Sequence, residues 1–401
     1  MITDIMKISV ASGVSAFINL ATLPFLTRLY SPGDFGAFAI FFAISLSLGA
    51  IGALRYELAI VLPKEEQQAV GVLNNSIVVL LLNAVLFYFL LFLLPENFLM
   101  GDSYPEQVSE LVFLGVIFYG MQNIYVYYLI RIGNFSLRAL IIPLQSVFSV
   151  SLQIAFYYMG IVYGLIYGLL ISQALIFFLI TTFLIITEQF HRKVNIRLDP
   201  SLLLTYWKFP VFSVPTFLLS VVRERGLLFF IKIFSGLYTV GQFSVVQRII
   251  LAPNTLLSQG IRPVVYREVA MDKTGKTKSK IYFIIKTIVT LYSPLLWLIF
   301  QLNDSIFQAI LGEKWKGVED FVQICAVLLY FMLISNWLDR VYDAKDRVQT
   351  SFILELVFSV SSIGSFLIIF LLTDNLVLSL WIFCAVSGAN NLVYLGVAVN
   401  L

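Results

Sequence analysis

The chain has 401 residues, 60% of them hydrophobic and 12% charged, where soluble domains carry about 25% charged residues. A mean hydropathy of +0.92 over the whole length excludes a soluble enzyme, a nucleic-acid binder and a disordered hub. The net charge of +3 is near balance, so the distribution of charge along the chain carries more information than its total.

A membrane helix needs roughly 20 mostly apolar residues. Twelve segments qualify, at about 7–30, 35–62, 70–94, 108–132, 137–159, 161–187, 204–232, 237–266, 281–302, 318–340, 349–372 and 376–400. Gly and Pro punctuate them, at Ser31-Pro32-Gly33, Pro63, Pro95, Gly133, Gly160, Gly275 and Gly312. The loops between them are too short to fold alone. The first apolar run is too long for a signal peptide, and no small-residue cleavage site follows it. With alternate junctions assigned to the cytoplasm, 19 Lys and Arg fall inside, 4 fall outside and 3 lie within spans. That bias places both termini in the cytoplasm. All five tryptophans, at 207, 297, 315, 337 and 381, fall near span ends, where interfacial anchors are expected.

The two halves of the chain resemble each other. Phe25-Leu-Thr-Arg28-Leu-Tyr-Ser31 aligns with Phe229-Phe-Ile-Lys232-Ile-Phe-Ser235, and Gly36-Ala-Phe38 with Gly241-Gln-Phe243. Six spans therefore repeat once, in parallel, about an axis along the membrane normal. The expected fold is an all-α integral membrane protein of about twelve transmembrane helices. They form two six-helix lobes, 1–200 and 201–401, around a central cavity.

Two stretches near the start carry a family resemblance. They are Leu26-Thr-Arg-Leu-Tyr-Ser-Pro-Gly-Asp-Phe-Gly-Ala-Phe38 and Leu54-Arg-Tyr-Glu-Leu-Ala-Ile-Val-Leu-Pro-Lys64. Tyr206-Trp-Lys-Phe-Pro210, Gly241-Gln-Phe-Ser-Val-Val-Gln-Arg248 and Pro263-Val-Val-Tyr-Arg-Glu268 agree in the second half. Together they resemble the bacterial polysaccharide biosynthesis flippases of the multidrug/oligosaccharidyl-lipid/polysaccharide exporter superfamily. The resemblance implies a bacterial inner-membrane transporter of undecaprenyl-pyrophosphate-linked oligosaccharide, serving O-antigen or capsule assembly. It also implies contact with membrane lipids and with other polysaccharide-assembly proteins. A two-lobe transporter needs no second copy, so a monomer is expected, with no cofactor.

A flippase breaks no bond, so no catalytic residue is expected; it shelters a polar head group across about 30 Å of hydrocarbon. Intramembrane charges are costly and rare, which makes each a functional candidate. In the eighth span Ser244, Arg248, Thr255, Gln259 and Arg262 fall on one stripe, with Arg248 deep and Arg262 toward the cytoplasmic mouth. Either these arginines bind the anionic substrate, or Arg248 pairs with a carboxylate and Arg262 snorkels. In the seventh span Ser213, Thr216, Ser220 and Arg223 share a face, with Glu224 at its edge and Arg225 pointing away. There Arg223 either binds pyrophosphate, with Glu224 neutralising it or carrying a coupling proton, or the triplet is a structural ion pair. The resemblance extends to Arg28 and Arg55, on helices where the family places functional arginines; as residues alone both read equally as interface anchors. Asn19, Thr22, Ser15, Gln122 and Asn123 either line a sugar route or make interhelical hydrogen bonds. Glu355 reads as the partner of Arg347 or of a neighbouring helix.

Other chemistries lack their residues. Cys325 and Cys384 sit apart in apolar runs, and His191 is the sole histidine, so no metal site is expected. Gly275-Lys-Thr277 resembles the end of a phosphate loop, but Ala270 stands where its first glycine belongs. A multidrug antiporter of the same superfamily is the alternative reading. A cation exporter needs unpaired intramembrane carboxylates, and arginines flank Glu224. A membrane polysaccharide polymerase would need a larger outer loop than any present.

Overall fold

The computed structural model describes residues 2–93, 108–187, 198–271, 277–338, 341–342, 345 and 347–400. The first half contains α1 (Ile2–Leu29), α2 (Pro32–Gly52), α3 (Glu66–Phe92), α4 (Val108–Arg131), α5 (Phe135–Tyr158), α6 (Gly164–Ile186) and the short α7 (Pro200–Thr205). The second contains α8 (Val214–Met271), α9 (Thr277–Phe300), α10 (Asp304–Leu311), α11 (Glu319–Ser335), α12 (Val348–Thr373) and α13 (Leu376–Asn400). Among the described residues, eleven helices are long and apolar enough to cross a membrane. The chain is a multi-pass membrane protein, and its all-helical fold is the one its hydropathy predicts.

A single residue divides α8. Gly236 has φ 79° and ψ 176°, a conformation open to glycine and costly for any L side chain. It separates arms 214–235 and 237–271, close to the spans expected at 204–232 and 237–266. The break at Gly236 comes just after Ser235, and the break between α1 and α2 comprises Tyr30 and Ser31, so the two aligned stretches both lie at helix breaks. At the first break Asp34 accepts from the Ser31 amide (2.8 Å) and hydroxyl (2.7 Å), while Ser31 accepts from the Asp34 amide. This reciprocal cap stops one helix and starts the next.

Three expectations need correction. The second span does not run to 62: α2 ends at Gly52, and a 3₁₀ turn, Tyr56–Val61, follows. Leu54 (φ 49°) and Arg55 (φ 62°) are both left-handed, so the helix cannot continue through this apolar run. The stretch between the ninth and tenth spans is not a plain loop but carries α10. Trp315 and Trp337 are core residues, at 0% and 1% exposure, rather than interfacial anchors.

By packing, the chain divides into two compact units: Met1–Thr22 with Gly36–Val221, and Leu23–Phe35 with Val222–Leu401. In the first unit α5 and α6 pack closely through Gly168, where a Cβ would lie 2.6 Å from Gln153 Cγ and 2.9 Å from its backbone nitrogen. Small residues replace the hydrophobic effect as the means of helix association in a bilayer. In the second unit Trp337, Leu338, Val341 and Tyr342 form a core with Val265, Ile281 and Ala398. Phe89, Phe92, Leu371 and Leu372 remain exposed, as lipid-facing side chains should.

The second unit also holds the elbow of residues 23–35. Trp315 Nε1 donates to the Thr27 carbonyl (2.8 Å), Trp315 packs edge-on to Phe35 (5.3 Å), and Arg28 Nη2 donates to the Ala309 carbonyl (3.0 Å).

Candidate functional site: a polar cavity in the second unit

A cavity of about 690 Å³ opens within the second unit. That is inside the range of about 300–1,000 Å³ typical of ligand sites. The second arm of α8 supplies Gln247, Arg248, Leu251, Asn254 and Ser258, and the first arm supplies Arg225. The positions 247, 251, 254 and 258 recur at helical spacing and so share one face. α12 contributes Glu355, Phe358 and Ser362, and α13 contributes Ser387, Asn390, Asn391 and Tyr394. Asn336, just after α11, completes the polar lining, while Leu227, Phe243, Leu328, Met332 and Phe383 are apolar.

Arg248 is exposed to this space although it lies within a membrane-spanning helix. An arginine held in hydrocarbon would be costly, and a polar cavity wall lowers that cost. Two guanidinium groups and one carboxylate, Glu355, line the cavity among the described residues. The fixed charge there is net positive, which favours an anionic ligand.

Of the stripe expected in the sequence, Arg248 lines the cavity. Ser244 is buried and donates to the Gly241 carbonyl (3.0 Å) instead of lining the space. Asn254 and Ser258 stand there, and the side chains of Thr255, Gln259 and Arg262 lie outside the described residues. So do those of Arg223 and Glu224. Arg225, expected to point away from its neighbours' face, lines the cavity beside Arg248.

Arg28 and Arg55 are elsewhere. Arg28 is tied to Ala309 and packs over Gly312, whose Cβ would sit 3.3 Å from Arg28 Cγ. Arg55 belongs to the first unit. Its Nη1 lies 3.6 Å from Glu57 Oε1, and its guanidinium carbon sits 4.7 Å from the centre of the Phe217 ring. This cation–π contact stands in for a tight ion pair. Arg131 holds the same turn, with Nη1 donating to the Pro63 carbonyl at 2.7 Å. Asn19 donates to Ser146 (3.0 Å), which also meets Ser15 (2.6 Å), and Gln122 donates to the Gln173 carbonyl (3.3 Å). These polar groups join helices to one another.

Several lining residues were not singled out from the sequence: Gln247, Asn254, Asn336, Ser362, Ser387, Asn390, Asn391 and Tyr394. The signal was present. Ser387, Asn390, Asn391 and Tyr394 are spaced i, i+3, i+4, i+7, a polar stripe along an otherwise apolar span. Glu355, Phe358 and Ser362 repeat the spacing in the span before it.

Known proteins bear on this arrangement. The family model described as polysaccharide biosynthesis protein matches residues 25–320. The structure of the lipid II flippase MurJ in an inward closed conformation aligns with 100% of this chain and 88% of its own, at TM-score 0.74 and 17% identity. An inward-facing multidrug resistance MATE family transporter of the MOP superfamily aligns over 97% and 93%, at TM-score 0.71 and 15% identity. A Pyrococcus furiosus MOP superfamily transporter, described as having a binding pocket of reversed polarity, aligns over 99% and 94%, at TM-score 0.59 and 17% identity. At these identities the likeness is one of fold. No curated protein matches the chain in sequence.

Proposed function

The chain belongs to the polysaccharide biosynthesis protein family, and from that premise we propose that it is a flippase of undecaprenyl-pyrophosphate-linked oligosaccharide. It carries this lipid from the cytoplasmic to the outer leaflet of a bacterial inner membrane, by alternating access, for O-antigen or capsule assembly. The observation that carries the reading is the placement of Arg225 and Arg248 on one polar cavity inside a membrane-embedded unit. Guanidinium groups bind phosphate oxygens bidentately, and in a partly desolvated cavity such pairs are stronger than in water. The protein moves its substrate and changes no covalent bond in it.

In this reading Arg248 and Arg225 hold the pyrophosphate, and Arg223 and Arg262 extend the cationic path along α8. Glu224 couples transport to a proton. Arg28 acts at the end of α1 and Arg55 in the turn that follows α2. Membrane lipids and other assembly proteins are its partners, it works as a monomer, and both termini face the cytoplasm.

Glu355 on the cavity wall is the one observation that favours a cation antiporter. Two arginines on the same wall outweigh it. A deletion strain separates the readings through its extracted lipid-linked glycans. Accumulation of one undecaprenyl-linked oligosaccharide in the inner leaflet supports the flippase and names its glycan. Normal surface glycan with raised drug sensitivity would transfer the assignment to the antiporter.

A further inference from the structure

The cavity has a second chemical character besides its positive charge. Asn390 Nδ2 donates to Ser361 Oγ and Ser362 Oγ, both at 3.0 Å, and to the Phe358 carbonyl at 3.4 Å. Ser387 Oγ donates to Ser362 Oγ (3.1 Å). Ser335 Oγ donates to Asn391 Oδ1 (2.6 Å), whose amide donates to the Ser387 carbonyl (2.8 Å). A carboxamide has two donors and one two-lone-pair acceptor. The donors of Asn390 are therefore occupied, while its Oδ1 accepts no hydrogen bond among the described residues. Ser362 accepts two hydrogen bonds, and its own O–H proton finds no acceptor there. One lone-pair-rich oxygen on the half-buried Asn390, and one hydroxyl proton on Ser362, which is 2% exposed, thus remain on the cavity lining.

The surface is also held in place. A Cβ on Gly388 would meet the Phe331 ring at 2.7 Å, so α13 lies close against α11 and its polar stripe has little freedom. A fixed acceptor beside a fixed donor, both neutral, suits a vicinal diol or an acetamido-hydroxyl pair on a sugar. It does not suit a phosphate, which brings acceptors only. Aliphatic substrates would leave both groups unsatisfied, at a cost comparable to a lost hydrogen bond.

We propose that Asn390 and Ser362 form a sugar subsite that reads hydroxyl groups on the residue next to the pyrophosphate, and that Asn390 is a specificity-determining residue. This rests on the reading that Arg225 and Arg248 hold the pyrophosphate. The cavity then has two parts, a guanidinium part on α8 for the anion and a carboxamide–hydroxyl part on α12 and α13 for the first sugar.

The test uses the full chain in lipid nanodiscs and calorimetric titration with two probes. One is citronellyl pyrophosphate; the other is the same compound bearing a single N-acetylglucosamine. The wild type is expected to bind the sugar-bearing probe at least about fivefold more tightly, the worth of one neutral hydrogen bond. Asn390→Ala brings that ratio toward one. Asn390→Gln, which keeps the carboxamide and moves it by one methylene, also lowers the ratio and serves if the alanine variant misfolds. Equal affinity of the wild type for both probes overturns the subsite while leaving the pyrophosphate reading standing. A sugar preference that survives both substitutions overturns it as well. Failure to bind either probe is a failure of the pyrophosphate reading itself, and the subsite falls with it.

Discussion

Glu57 is a buried carboxylate of the first unit, and replacing it should change how stability depends on pH. It lies on the 3₁₀ turn between α2 and α3, 1% exposed, and neither carboxylate oxygen accepts a hydrogen bond among the described residues. Arg55 is 3.6 Å away and leaves its own Nε without a partner. α3, α4 and the π-turn Phe209–Ser213 pack against this turn. Arg55 is the charged group that acts on it, and Tyr127 on α4 lies within its field. Burial lifts the carboxyl from 4.5 to about 7, opposed by the Glu57 amide and then by Arg55. The raised value means that the folded protein holds a proton which the unfolded chain has released. The contribution of Glu57 to stability is therefore greatest below pH 4.5, falls as pH rises toward 7, and is level above that. The shift corresponds to about 3 kcal/mol. Glu57→Gln stays neutral at every pH and escapes the fall. Its advantage over wild type should be near zero at pH 4.5 and approach about 3 kcal/mol at pH 8. Unfolding by dodecyl sulfate in mixed micelles, followed by tryptophan fluorescence from pH 4.5 to 8, reads the difference directly, because other groups cancel. Parallel pH profiles for the two proteins would refute the reasoning.

Three further outcomes follow from the packing and the cavity. Arg248→Ala should abolish glycan export with membrane insertion intact, and Arg248→Lys should remain impaired because an ammonium cannot make the bidentate contact; normal export by either variant, scored by surface glycan staining, removes Arg248 from the site. Trp315→Phe keeps the ring contact with Phe35 but orphans the Thr27 carbonyl, at a cost of about 1–3 kcal/mol in detergent unfolding. Gly168→Ala forces a methyl into Gln153 and its backbone, so a loss of about 1–3 kcal/mol is expected by the same measurement. An alanine variant as stable as wild type would mean that α5 and α6 have room to separate.

The spans were legible because each must satisfy its own backbone in lipid, so length and apolarity suffice to mark them. The repeat was legible for a related reason: its aligned stretches lie at helix breaks set by local chemistry, the Ser31–Asp34 cap in one and Gly236 in the other. Less legible was the end of α2. Leu54 to Leu62 is apolar enough to continue a helix, and only the left-handed turn at Leu54 and Arg55 shows that it does not. The site was partly legible. Arg248 announced itself by its cost in a membrane span. Asn19 and Asn390, by contrast, look alike in sequence, each a polar residue in an apolar span. Both bond to serine hydroxyls of another helix, and Asn390 also lines a cavity; its surroundings make the difference. Tryptophan misled because its size suits a core as well as an interface, and at 315 and 337 the indole N–H finds a carbonyl inside the protein.

The elbow of residues 23–35 has a consequence for biosynthesis. The carbonyl of Thr27 waits for a donor 288 positions later in the chain, and Arg28 for an acceptor 281 positions later. At about 5–20 residues per second, the ribosome supplies those partners roughly 15–60 seconds after the elbow itself is made. Until then the C-terminal end of the first helix is a guest without its host, among the earliest segments synthesised and among the last to be clasped. A stall or truncation anywhere before residue 309 therefore strands this elbow, whatever the state of the helices already inserted. Nascent chains of this protein thus carry near their beginning a segment whose partners arrive only with residues 309 and 315 of 401, so quality control that inspects Thr27 and Arg28 inspects synthesis past three quarters of the polypeptide.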